Sequence, residues 1–118
     1  MRTKEFRLPK ARLLLLVFMP FIYAFAHAGT PEFQIVIKDH LFQPSRLEVP
    51  AGIRVKLVVD NQDPTPEEFE SYELNREKVI MGNSKTTLYV GPLKAGEYPF
   101  FGEFNQKSAQ GVLVAVQP

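Results

Sequence analysis

Past residue 28, apolar and polar residues alternate in short runs, and proline or glycine falls between most of them. No stretch of ten or more residues there carries a helical period. The clearest run puts Ile53, Val55, Leu57 and Val59 on one face and Arg54, Lys56 and Asp60 on the other. Period two over that length predicts a half-buried strand whose four apolar residues enter one core. Shorter runs with the same period predict strands over 33–38, 46–49, 67–74, 85–90, 97–104 and 111–117. Residues 39–45 read as a loop, and Pro50-Ala51-Gly52 as a turn. A single helical turn is expected around Asn75–Lys78. Seven or eight short strands so closely spaced predict an all-β antiparallel sandwich or barrel.

Residues 1–28 follow another pattern. Arg2, Lys4, Arg7, Lys10 and Arg12 precede the apolar run Leu13–Ala26, which ends at the small-x-small triplet Ala26-His27-Ala28. A basic start, an apolar middle and such a triplet predict a signal peptide, cleaved after Ala28, and export to the periplasm. An uncleaved anchor is the other reading. The run is short for it, since a spanning helix needs roughly 20 apolar residues, and Pro20 interrupts it. The expected division is 1–28 signal peptide and 29–118 one domain, with a mature protein that does not span the membrane.

Cleavage changes the charge. The mature part keeps nine basic and twelve acidic residues, a net charge near −3. It lacks the basic footprint of a nucleic-acid binder. There is no cysteine, so an exported domain of this size has to hold together by its core alone.

The order of motifs resembles a known family. Phe42-Gln43-Pro44, then Leu47-Glu48-Val49-Pro50-Ala51-Gly52, then a strand ending at Asn61, is similar to the first half of a cupredoxin. Gly96-Glu97-Tyr98-Pro99-Phe100-Phe101 and Gly111-Val112-Leu113-Val114 resemble its last strands. The resemblance covers roughly Phe33 to Gln117 and implies a Greek-key β-sandwich. The metal loops depart from the pattern. A blue-copper site needs two histidines, a cysteine thiolate and usually a methionine. Past residue 28 there are one histidine, His40, one methionine, Met81, and no cysteine. Pro66-Glu67-Glu68-Phe69-Glu70 stands where the first ligand would fall, and Phe101-Gly102-Glu103-Phe104-Asn105 where the cysteine loop would.

Carboxylates at those places, with Leu74-Asn75-Arg76-Glu77-Lys78-Val79 between them, resemble the periplasmic cupredoxin-like proteins that accompany bacterial high-affinity iron permeases. That resemblance implies an accessory of iron uptake. It would bind a copper or iron ion beside a membrane permease and periplasmic iron-binding partner proteins, with no turnover of its own. The candidate ligands are Glu67, Glu68, Glu70 and Glu103, with His40 as a nitrogen donor. In an extended strand Glu68 and Glu70 share a face opposite to Glu67, Phe69 and Ser71, so a cation could sit between the first two. The plain alternative for the acidic cluster is a solvated edge strand, and the rival reading of the whole is a metal-free β-sandwich interaction module whose acidic strand contacts a partner's basic surface. A single histidine and no cysteine leave no nucleophile–base pair, so no hydrolytic triad is expected.

Overall fold

The computed structural model of the protein describes residues 29–118; the expected signal peptide and its cleavage point at 28 lie outside the described residues. Nine strands follow one another: β1 (Glu32–Lys38), β2 (Leu41–Gln43), β3 (Arg46–Pro50), β4 (Val55–Asn61), β5 (Glu67–Ser71), β6 (Arg76–Ile80), β7 (Ser84–Val90), β8 (Gly96–Gly102) and β9 (Gln110–Val116). They form a four-stranded sheet in the order β2-β1-β4-β7 and a five-stranded sheet in the order β3-β9-β8-β5-β6. Between β8 and β9 lies one 3-10 turn, Glu103–Asn105. The all-β sandwich of two sheets expected from the sequence is the fold observed, with nine strands where seven or eight were expected.

Burial follows the period-two pattern. Val55, Leu57 and Val59 of β4 are buried, while Lys56, Val58 and Asp60 between them are partly exposed. They meet Ile35 and Ile37 of β1 and, from the other sheet, Phe69, Phe100 and Leu113. Three rings form the centre. Phe69 stacks on Phe100 at 4.9 Å, and Phe42 stands edge-on to Phe100 at 5.0 Å and to Phe69 at 6.2 Å. Such offset and edge-on arrangements suit the ring quadrupoles.

Four expectations need correction. Ile53 is not in the core: β4 begins two residues later, and Ile53 is 46% exposed in the turn before it. The sandwich is not wholly antiparallel, because β1 runs parallel to β4 and β3 parallel to β9. The chain changes sheet between β2 and β3, so β3 enters beside the last strand in the same direction. Residues 39–45 are not all loop: β1 and β2 make a tight hairpin in which Lys38 pairs with Leu41. Its two turn residues, Asp39 (φ 53°) and His40 (φ 60°), are both left-handed, as a two-residue primed turn requires. Finally, Asn75–Lys78 is not a helical turn. Asn75 takes a left-handed conformation (φ 54°) that closes a turn from Tyr72, and Arg76 then starts β6. Asparagine tolerates that region better than most residues.

Candidate metal centre

Three loops meet at one end of the sandwich, and buried polar side chains fasten them. Asn61 closes β4 with no exposure. Its amide donates to the carbonyls of Thr65, Ile80 and Met81, and its Oδ1 accepts from Asp63 N at 3.0 Å. Asp63 in turn accepts the backbone N–H groups of Asp39 and His40 at 2.8 and 2.9 Å. Burial alone would raise the Asp63 carboxyl. The two N–H bonds and the charges of His40 and Lys38 outweigh it and hold the carboxyl below its ordinary value. That contribution to stability is complete at neutral pH and is lost as pH falls below the ordinary carboxylate range. Ser108 Oγ donates to the His40 carbonyl at 2.7 Å, which ties in the third loop.

Glu67 belongs to this inner network. It faces the core with Phe69 and Ser71 and is 1% exposed. Its Oε1 accepts from Glu68 N and Phe104 N, both at 2.9 Å, and its Oε2 from Asn105 Nδ2 at 2.7 Å. Gly102 is needed beside it: a Cβ there would lie 2.6 Å from Glu67 Cδ and 2.7 Å from Ala109 Cβ.

The outer face of the five-stranded sheet carries the other carboxylates. Glu68 and Glu70 point outward from β5, and Glu70 pairs directly with Glu77 of β6. Glu68, Glu70 and Glu77 each bring one carboxylate oxygen within 4.8 Å of the others. Partial loss of solvent raises the Glu68 carboxyl first; a hydrogen bond shared with Glu77 and the charges of Glu77, Glu70 and Glu103 raise it further. Glu70 is raised by the same loss of solvent and by Glu77 and Glu103. No lysine or arginine of the described residues makes an ion pair with this group.

The structure therefore divides the sequence-predicted set. Glu68 and Glu70 come together, Glu103 lies close enough for its charge to act on both, and Glu67 points the opposite way. His40 is elsewhere, its Nδ1 3.6 Å from Asp63 Oδ2. Glu77 is absent from the predicted set because the expected helical turn hid its place opposite Glu70. A strand assignment at Arg76–Ile80 would have found it.

A pH consequence follows for the outer group. Carboxyls raised in the folded state hold extra protons above their ordinary titration range, so stability falls as pH rises through that window. Glu77→Gln removes one repelling charge. Carboxyl 13C NMR titration is expected to show the Glu68 and Glu70 midpoints moving down toward ordinary values; unmoved midpoints would contradict the assigned cause.

A blue-copper ion does not fit the inner end. Among the described residues there is one imidazole, His40, and no thiolate, and both oxygens of Glu67 are already taken by N–H donors. The outer carboxylates suit a hard or borderline cation instead.

Comparison with known proteins agrees with the fold. An uncharacterized protein of Rickettsia prowazekii (strain Madrid E) is 45% identical over 83 residues, 70% of this chain and 66% of the relative, so the chain spans just under two thirds of that protein's length. Auracyanin A, a "blue" copper protein from the green thermophilic photosynthetic bacterium Chloroflexus aurantiacus, superposes with a TM-score of 0.65 at 15% identity. The match covers 75% of this chain and all of that one. The metal-binding domain of the Streptococcus pneumoniae D39 Cu(I)-exporting P-type ATPase CopA, solved with Cu(I), gives a TM-score of 0.62 at 16% identity, covering 73% and 85% of the two chains. At such identities the likeness is one of fold, and function has to be argued from the site. The family model described as the cupredoxin-like domain matches residues 12–115, and the chain belongs to that family.

Proposed function

We propose that the protein is an exported cupredoxin-fold metal-binding accessory of iron uptake, holding a copper or iron ion on the outer face of its five-stranded sheet. The observation that carries this reading is the convergence of Glu68, Glu70 and Glu77 within 4.8 Å. Oxygen ligands lie roughly 2.0–2.6 Å from a metal ion, so oxygens at that spacing can share one cation. The raised carboxyls of Glu68 and Glu70 add support, because a cation relieves the repulsion that raises them. The role in iron uptake and the permease and iron-binding partners rest on the resemblance of the 67–79 and 101–105 segments, and the periplasmic location on the signal pattern of residues 1–28. The protein's own part is to bind and present the ion.

Calorimetric titration with Cu(II) and, without oxygen, Fe(II) tests it. Glu70→Gln combined with Glu77→Gln is expected to weaken binding at least tenfold, about 1.4 kcal/mol. Affinity should also fall as pH drops, since protons compete for the same oxygens. No heat with either ion would favour the second reading, a metal-free interaction module. That reading has its own observation: Tyr72 is 73% exposed beside the carboxylates, and with Phe101, Pro99, Gln106 and Gln110 it lines a depression of about 380 Å³.

A further inference from the structure

Glu67 bonds across the two segments that a cupredoxin copper ion would bridge, 66–70 and 101–105. We propose that this buried carboxylate is a clasp standing in for the metal: it closes the end of the sandwich with protein hydrogen bonds alone, so that end needs no ion and takes none.

Three observations meet on it. A carboxylate is an acceptor only, and both of its oxygens are occupied by donors from the two segments, Glu68 N on one side and Phe104 N and Asn105 Nδ2 on the other. The loop beyond it also carries backbone bonds of its own. Ala109 N donates to Asn105 O at 2.8 Å, and Gly102 N to Ala109 O at 2.8 Å. Space is also filled: Glu67 Cδ would stand 2.6 Å from a Cβ at Gly102. Three of the carboxylate's roughly four acceptor sites are taken, so an ion bound there could use one remaining site on Oε2 at most without displacing a donor, and a displaced donor left without a partner is costly. The clasp does not depend on the outer carboxylates binding metal, and the two ideas fail separately, one by exchange and the other by titration.

Amide hydrogen exchange by NMR on EDTA-treated protein tests the clasp, with Zn(II) as a diamagnetic probe. The Phe104 amide should exchange on the order of 100-fold more slowly than an unbonded amide in metal-free protein. Saturating Zn(II) should leave that rate within about twofold. A Phe104 amide that exchanges freely in EDTA, or that gains tenfold protection on adding Zn(II), would overturn the proposal. The nearly isosteric Glu67→Gln keeps the packing. It also keeps an acceptor for Phe104 N, so protection there should fall by less than about tenfold, whereas Glu67→Leu, of similar volume and with no acceptor, should leave Phe104 exchanging like an unbonded amide while Ile35 and Leu113 in the core stay protected; equal protection at Phe104 in the wild type and Glu67→Leu would also overturn the proposal.

Discussion

Glu67→Leu is expected to destabilise the protein by about 3 kcal/mol or more, because it strands three N–H donors at once. A buried donor without a partner costs roughly 1–3 kcal/mol; these three bonds are partly buried, so each counts near the lower end, and leucine supplies no acceptor. Side-chain volume is nearly kept, so a cavity contributes little. For a domain of this size each kcal/mol lowers the melting temperature by about 4–8 °C, which puts the expected fall at roughly 12 °C or more. Glu67→Gln separates the causes. Its oxygen can still accept from Glu68 N and Phe104 N, and the Asn105 amide can turn to accept from the new amide, so its loss should stay below about 1.5 kcal/mol. Chemical denaturation of both variants checks this. Equal losses would mean that packing around residue 67, and not its acceptors, holds the loops.

Phe69→Ala should cost about 3–5 kcal/mol, the range for removing a fully buried ring. Phe69 has no exposed surface and touches the rings of both Phe42 and Phe100. Phe42 comes from the four-stranded sheet and the other two from the five-stranded one, so the truncation opens a void between the layers. Close packing leaves few neighbours free to fill it. Urea unfolding measures the loss, and a change below about 1 kcal/mol would show that this cluster is not the centre of the core. The same strand presents Glu68 and Glu70 on its other side, so a large loss at Phe69 would also disturb their spacing.

Alternation made much of this fold legible. Val55, Leu57 and Val59 entered the core as period two required, and the same rule put Glu68 and Glu70 on the face opposite Glu67. It failed where local sequence yields to distant contacts. The β1–β2 turn has no glycine; it is held by Asp63, more than twenty residues further on, and no window around Asp39 and His40 contains that information. Ile53 looked like a strand residue because its apolar neighbours keep the period, yet the turn that Gly52 (φ 82°) allows ends only after it. The candidate site was half legible for the same reason. Direction along one strand follows from spacing, so Glu68 and Glu70 were found together. Neighbours across strands depend on register, so Glu77 was missed, and the burial of Glu67 depended on a loop that arrives nearly forty residues later.

The parallel pairing of β3 with β9 bears on how the chain reaches its native state. Arg46 of β3 lies opposite Val112 of β9, sixty-six positions apart, and β3 has no other strand beside it. That edge of the larger sheet cannot form until the last strand is available, whatever the rest of the chain has done. Folding is therefore dominated by a late, long-range closure, which places the domain among the slower small proteins, in milliseconds to seconds. Until then β3 waits as an unpaired strand, and its charges at Arg46 and Glu48 are the natural guard against pairing with another molecule.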